Sequence, residues 1–358
     1  MRIVQIIDSL EIGGAERMAV NYANALSEKT EFSGLIATRS EGLLLNQISK
    51  KVSYLFLDKK RKIDFNAVFK LKKYLKQNKI DIIHAHSSSF FTAVLVKLIY
   101  PKVKIIWHDH YGPRIEQTKK DNTVLIFCSL FFDSIFVVNK QLKEWSLKNM
   151  KCDNIVFVPN FILQNNSSEE ITKLKGIEGK RIVFLANLKK PKNHIIVLKS
   201  YFELKLFDQG WSLHLIGKDY NDQYSQVLKD FIQKNNLANH VYLYGSRNDI
   251  KFILSQASIG VLASTFEGFP VTLIEYGDAG LAVLSTNAGF CSDIIKNEER
   301  GLLFDPINEF ELQTQFKKIT ENQSLRKELA HNLKALIQEN YTEDKAVEKI
   351  LAEYHKIK

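Results

Sequence analysis

Cysteine, glycine and proline are scarce in this 358-residue chain, and each scarcity removes a class of protein. The three cysteines, Cys128, Cys152 and Cys291, are odd in number and scattered. No pair has metal-ligand spacing, and a disulfide framework does not suit a chain of this length, so they read as buried thiols in a reducing compartment. With 16 glycines and 6 prolines, and neither a low-complexity tract nor a fixed-period repeat, collagenous, solenoid and largely disordered chains are excluded. The most apolar segment, residues 124–132, is stopped by Asp133 and falls short of the roughly 20 residues a spanning helix needs. The N-terminal run MRIVQIIDSL is too short in its apolar part for a signal peptide and reads as a first strand, so a cytoplasmic protein is expected. Two motifs are also missing. No Gly-x-Gly-x-x-Gly follows the first strand, which argues against a dinucleotide dehydrogenase. No Asp-x-Asp occurs, so no metal and no cofactor are expected.

What is present is ordinary globular material, 45% hydrophobic and 25% charged, long enough for two cores. The net charge of +10 is uneven. Residues 1–160 hold 25 Lys and Arg against 15 Asp and Glu, whereas residues 161–358 hold 25 of each. A basic half suits nucleic acid, an anionic membrane surface or a phosphorylated substrate. Nucleic acid is the poorest of these, because no binding motif occurs and the charge is not interleaved with exposed aromatics.

Hydrophobic periodicity predicts two α/β halves. In the first, residues 2–7, 35–38, 52–57, 80–84, 104–107, 135–138 and 155–159 read as strands. Ala15–Ser27 has helical spacing through Met18, Tyr22, Ala25 and Leu26. Asp64 caps a second helix whose apolar face is expected at Phe65, Val68, Phe69 and Leu75, with Lys70, Lys72, Lys73, Lys76 and Lys79 opposite. Residues 163–179 are polar and read as a linker. Strands then resume at residues 181–185, 212–216, 240–244, 259–262 and 282–285, and residues 309–358 are helical almost throughout. Such alternation predicts parallel sheets covered by helices, here two doubly wound, Rossmann-like domains facing across a cleft. The expected boundaries are 1–162 for the N-terminal domain and 180–335 for the C-terminal one, with residues 336–358 returning to the first domain.

The strongest local signal is the run Ser264-Thr265-Phe266-Glu267-Gly268-Phe269-Pro270-Val271-Thr272-Leu273-Ile274-Glu275. A strand enters a loop holding Glu267 and Gly268, and Pro270 suits the first turn of a new helix. Free amides near Val271 and Thr272 would offer an anion site for a diphosphate. Glu267 precedes the helix and Glu275 lies more than a turn inside it, so the two can address different parts of one extended ligand.

This run resembles the Glu-x7-Glu motif of retaining glycosyltransferases of family 4, which have the GT-B fold. The resemblance extends along nearly the whole chain. Asp81-Ile82-Ile83-His84-Ala85-His86, Val158-Pro159-Asn160, His214-Leu215-Ile216-Gly217, Val241-Tyr242-Leu243-Tyr244-Gly245, Ala279-Gly280-Leu281-Ala282-Val283 and Gly301-Leu302-Leu303-Phe304 match further family segments in order and spacing. Phe161 stands where glycine is usual, and Ala282 replaces a proline. The resemblance implies roles residue by residue. Gly13 and Gly14 border the diphosphate. A histidine after the fifth strand bonds the transferred sugar near its anomeric carbon, with His108 aligning best and His110 the alternative, while His84 and His86 shape the loop below. Gly217, Gly268, Phe269, Pro270, Val271, Thr272 and Glu275 line the donor, and Glu267 acts at the reacting centre. Lys192 clamps the leaving diphosphate. Asn187 replaces an arginine in that clamp and can donate a hydrogen bond but no charge; Lys189 or Lys190 would compensate.

The expected activity is transfer of a sugar from a nucleotide diphosphate-sugar to a glycan or lipid-linked acceptor with retention of configuration, in cell-surface polysaccharide or glycoconjugate assembly. Excess positive charge on the acceptor-side half predicts peripheral attachment to an anionic inner leaflet. The alternatives are a sugar-nucleotide epimerase of the same fold and a non-catalytic nucleotide-sugar-binding relative.

Overall fold

The computed structural model describes residues 1–162 and 170–357. The chain forms two compact units, the first comprising Met1–Gln164 with Thr342–Lys358 and the second Asn165–Tyr341. Residues 163–169 of the expected linker lie outside the described residues, and residues 170–174 belong structurally to the second unit. There Asp249 accepts the backbone N–H groups of Ile171 and Thr172, and Gln256 accepts that of Leu174.

The first unit runs β1 (Arg2–Ser9), α1 (Gly14–Ser27), β2 (Phe32–Ser40), β3 (Ser53–Phe56), α2 (Phe65–Gln77), β4 (Ile82–His86), α3 (Phe90–Ile99), β5 (Lys104–Asp109), α4 (Thr123–Cys128), β6 (Ser134–Val137), α5 (Lys140–Asn149) and β7 (Ile155–Phe157). Its seven strands are ordered β3-β2-β1-β4-β5-β6-β7 and all pairs are parallel. Strand order reverses direction between β1 and β4, which puts a crevice beyond their carboxyl ends. Because parallel crossovers are right-handed, α1 lies on one face of this sheet and α2, α3, α4 and α5 lie on the other. Met18, Tyr22, Ala25 and Leu26 of α1 pack where the periodicity put them, against Ile3, Ile82 and Ile106.

The second unit continues with β8 (Arg181–Leu185), α6 (His194–Glu203), β9 (Ser212–Ile216), α7 (Gln223–Lys234), β10 (Val241–Gly245), α8 (Ile250–Ser255), β11 (Ile259–Leu262), α9 (Val271–Ala279), β12 (Ala282–Thr286), α10 (Cys291–Ile295), β13 (Leu302–Phe304), α11 (Glu309–Glu321) and α12 (Gln323–Asn340). Its six strands are ordered β10-β9-β8-β11-β12-β13. The last helix, α13 (Glu343–Ile357), belongs to the first unit, where Ala346, Val347, Ile350 and Tyr354 are buried beside α1. No described helix is long and apolar enough to cross a membrane.

Three local expectations are corrected. The fourth strand begins at Ile82 and runs through His86, two residues later at each end than the expected 80–84, so His86 is a strand residue that meets His110 at 3.0 Å and accepts from Ser89 at 2.7 Å. Asp64 does cap α2, its carboxylate accepting the Ala67 N–H at 3.1 Å, but Phe65 and Phe69 are not on the buried face. The sheet side is Ala67, Val68, Leu71 and Leu75, while Phe65 is 70% and Phe69 58% exposed. An apolar set with two candidate stripes offers the sheet only one, and the stripe with the smaller side chains was taken. Third, β5 extends two residues past Trp107, which carries His108 and Asp109 inside the sheet.

Candidate active site

In the second unit the chemistry-bearing residues gather at the carboxyl ends of β8, β9, β11 and β12. The loop after β8 places Lys192 so that its Nζ donates to Glu267 Oε1 at 2.6 Å. Glu267 sits in the loop between β11 and α9, and this ion pair is largely shielded from solvent. Gly289, after β12, lies against the Glu267 backbone: a Cβ there would stand 1.8 Å from the Glu267 carbonyl oxygen. Beneath the pair is the Cys291 thiol, which burial, reinforced by the Glu267 charge, pushes well above its ordinary pKa. It is a neutral packing group.

Helix α9 begins at Val271 with Pro270 as its cap. The expectation of a free Val271 amide is corrected, since that N–H is taken by the Phe269 carbonyl at 3.0 Å. The start of α9 is fixed by Phe269, buried and stacked on Phe290, and its far wall by Tyr276. The Tyr276 hydroxyl accepts the Leu185 N–H at 2.8 Å and donates to the Val261 carbonyl at 3.1 Å, bolting α9 to β8 and β11. Glu275, adjacent to it on α9, is half-buried. Thr272 shares the first turn of α9, and Gly268 lies next to Glu267 in the loop before it.

Asn187 turns toward the protein: its Oδ1 accepts the Lys218 N–H at 2.8 Å. Gly217, the residue before, permits this, because a Cβ there would lie 2.1 Å from the Ala186 carbonyl oxygen. The cations on this rim are Lys189 and Lys218, both set over the Tyr220 ring. Lys218 and Tyr220 were not singled out in the sequence, as nothing local marks a solvent-facing lysine among so many.

In the first unit, β4 carries His84 and His86, β5 carries His108 with His86 directly beside it, and His110 follows β5. Their rings form a stack, with His84 and His108 inclined by 12° and His86 and His110 by 16°. His84 Nδ1 meets the Tyr354 hydroxyl at 2.6 Å, and His84 Nε2 meets His108 Nδ1 at 3.1 Å. His86 Nε2–H donates to Gln5 Oε1 at 2.8 Å, which leaves His86 Nδ1 to accept from His110 Nε2 at 3.0 Å. That chain makes His110 Nδ1 an acceptor, and it has no partner; His108 Nε2 has none either. So the network leaves His110 Nδ1, just past the end of β5, as a buried acceptor without a partner, while His108 Nε2 lies within the strand. Burial depresses all four histidines, His110 to about 3, so each is neutral.

His84, His86 and His108 bring three ring nitrogens within 4.8 Å of one another, a spacing that raises the question of a cation. His84 Nε2 and His108 Nδ1, however, are turned on each other at 3.1 Å. Nitrogens of His84 and His86 on both sides of each ring are already hydrogen-bonded. The set does not fit a metal.

Of the two sequence candidates, His108 is fully buried within β5, whereas His110 follows the strand and is partly exposed. The His110 loop is pinned by Asp109, which accepts the Tyr111 N–H at 3.0 Å and pairs with the Arg114 guanidinium. Burial raises Asp109, and Arg114 pulls it partly back. On the other flank of β1, Gly13 caps α1 and Gly14 opens it, with the Glu16 side chain folded back over Gly13. Gln5, Tyr22, Arg114 and Tyr354 were missed by sequence reasoning. Gln5 carried a usable signal, a lone amide in an apolar strand; Tyr354 carried none, arriving from 270 residues away.

Comparison with known proteins gives a consistent picture. Residues 12–162 match the model of Glycosyltransferase Family 4, and residues 167–336 match that of Glycosyl transferases group 1. A Campylobacter jejuni GalNAc-alpha-(1->4)-GalNAc-alpha-(1->3)-diNAcBac-PP-undecaprenol alpha-1,4-N-acetyl-D-galactosaminyltransferase is 26% identical, covering 93% of both chains. An Escherichia coli UDP-Gal:alpha-D-GlcNAc-diphosphoundecaprenol alpha-1,3-galactosyltransferase is 27% identical over 68% of this chain and 67% of its own. Among solved structures, Anabaena HepE in complex with UDP and glucose superposes with a TM-score of 0.82 at 15% identity, covering 99% of this chain and all of the other. That likeness shows the fold, two Rossmann-like α/β units of the GT-B class.

Proposed function

The chain belongs to the family 4 glycosyltransferases, group 1, and from that premise we propose that it transfers a hexose-type sugar from a uridine diphosphate-sugar to a lipid-diphosphate-linked glycan, with retention. The relatives' acceptors, diphosphoundecaprenol glycans, support the acceptor class, and the galactosyltransferase and HepE support the uridine nucleotide. The observation that carries the reading is the Lys192–Glu267 ion pair at 2.6 Å beside the start of α9. A lysine already paired with a carboxylate keeps its charge fixed in place until an incoming diphosphate takes over its N–H groups. Thr272 in the first turn of α9 adds a backbone dipole for the same charge, and in the first unit Gly13 and Gly14 form an equivalent helix start on α1. Glu275 would hold the ribose hydroxyls and Glu267 the sugar. Asn187, committed to the Lys218 backbone, supports the loop while Lys189 and Lys218 supply the cationic rim.

In the first unit, His110 Nδ1 is an acceptor suited to a sugar hydroxyl, and His108 stands behind it through the stack. In the transfer, the bond from the anomeric carbon to the diphosphate oxygen breaks. The acceptor oxygen bonds to that carbon on the same face, and its proton passes to the departing diphosphate. The reaction would need no metal, leaving-group charge being met by Lys192 and backbone amides. A lipid-linked acceptor also places the protein peripherally on an anionic cytoplasmic membrane face, and the +10 charge carried by residues 1–160 supports this.

The test is a panel of nucleotide sugars read by thermal shift, followed by transfer onto a diphosphate-lipid glycan with the product anomer read by NMR. A bound donor raises Tm by mass action. Glu275→Ala should abolish most of the donor-induced shift. Conversion of the donor without an acceptor would instead favour the epimerase reading, and donor binding without any turnover the non-catalytic one.

A further inference from the structure

We propose that the outer side of α2 is a docking face for an anionic lipid bilayer, with Phe65 and Phe69 inserting among the lipids. This deepens the proposed function by naming the surface that approaches a lipid-linked acceptor, and it rests on that reading for the acceptor's chemistry.

Phe65 and Phe69 are one helical turn apart and share a side of α2, pointing away from the sheet that its buried residues cover. Two phenylalanines held in water on a surface helix have no account in the packing of this unit. Ile63, just before α2, is half exposed as well. Helix α3 packs against both α2 and α4, so the three line one face of the sheet. On α4, Val124 is 58% and Phe127 64% exposed, repeating the pattern.

The charge around these side chains identifies what covers them. Residues 59–79 hold nine Lys and Arg against one acid, Asp64, and so supply most of the net +10 of the chain. Lys60 pairs with Asp58 at 2.6 Å and Lys70 donates to the Phe56 carbonyl. Among the described residues, Lys62, Lys72, Lys73, Lys76 and Lys79 make no ion pair. A second copy of this chain would bring the same cations face to face and be repelled. An acidic surface that also accepts aromatic rings is the interface of an anionic bilayer, where the rings enter the acyl boundary and the ammonium groups meet headgroup phosphates. The polarity of the helix fits the site as well. Phe65 and Phe69 sit in the first two turns of α2, and a helix in a parallel crossover starts at the carboxyl edge of the preceding strand. They therefore lie toward the same edge of the sheet as His110.

The experiment is co-sedimentation of the full chain with phosphatidylcholine vesicles, with and without phosphatidylglycerol, across a salt series. The wild type should bind only the anionic vesicles and release as salt rises. Phe65→Ser with Phe69→Ser should lower binding by about tenfold or more, with Tm unchanged because both rings are already exposed. Lys72→Glu with Lys73→Glu and Lys76→Glu should lower it by about as much and flatten the salt dependence. Binding of either variant equal to wild type would overturn the proposal. So would a wild type that ignores anionic vesicles yet transfers sugar to a detergent-dispersed acceptor, or a concentration-dependent dimer that the serine pair abolishes. Vesicle binding by a protein that transfers no sugar would leave the docking face standing and count against the transferase reading alone.

Discussion

Gly289 allows a sharp test of how closely the Glu267 backbone must be held. Its φ is +58°, in the left-handed region, and the methyl of an alanine would lie 1.8 Å from the Glu267 carbonyl oxygen. Contacts of a Cβ below 3.0 Å are essentially unknown, so Glu267 must retreat by more than about 1 Å. The obstructing atom belongs to the backbone, so no side-chain rotation relieves it. Two penalties follow for Gly289→Ala. The backbone conformation costs about 1–2 kcal/mol for an L-residue. The displacement moves Glu267 away from Lys192, and a shift of that size at a reacting centre costs on the order of 100-fold in rate, or about 2.7 kcal/mol of barrier. Gly179→Ala is the matched control, with φ +80° and no atom within 4 Å of its added methyl. The assay is kcat/KM for sugar transfer alongside Tm for both variants. Both should lose similar stability from the backbone term, and Gly289→Ala alone should lose about two decades of kcat/KM. A Gly289→Ala enzyme within threefold of wild type would refute the claim that Glu267 is held in a functional position by this contact.

Acid stability should divide the two units. Histidines kept neutral by burial have folded pKa values below the unfolded value of about 6.5, so the unfolded chain binds more protons in acid. Their stability contribution is intact above that value and is lost as pH falls below about 6.5; for a histidine held at about 3, such as His110 or His194, the loss reaches about 2 kcal/mol by pH 5. The first unit holds four such residues, His84, His86, His108 and His110, and the second holds His194 and His214. Hydrogen exchange by mass spectrometry between pH 7 and 5 should therefore show β4 and β5 losing protection before β8 and β9; the reverse order would count against the assignment. Tyr276→Phe removes the acceptor of the part-buried Leu185 N–H and should cost about 1–3 kcal/mol, lowering Tm by roughly 2–4 °C per kcal/mol. An unchanged melting curve would show that the hydroxyl does not anchor α9.

Most of the framework was legible in the order of residues. Four strands of the second unit, Arg181–Leu185, Ser212–Ile216, Ile259–Leu262 and nearly all of Ala282–Thr286, have the bounds that their apolar runs predict. A strand buried on both faces must be continuously apolar, so its sequence is distinctive. Edges were less distinct. β4 and β5 run on into His86 and Asp109 because a polar side chain inside a sheet is tolerated once it finds hydrogen-bond partners, and those partners, Gln5, Tyr354 and Arg114, come from other elements. The same limit applied to α2. Its periodicity admitted two apolar stripes, and a helix cannot show from its own residues which stripe the sheet will cover.

By itself, then, the chain of residues determined two parallel α/β units, the glutamate pair before and within α9, and the placement of Lys192 in the loop after β8. These are consequences of local period, turn chemistry and motif spacing, which act over a few residues. Tertiary structure alone decided that Lys192 pairs with Glu267, that four histidines stack into a neutral network ending at His110, and that Phe65 and Phe69 face outward. Each of those depends on which distant element packs alongside, and pairing, burial and proton position are properties of the neighbours a side chain acquires on folding.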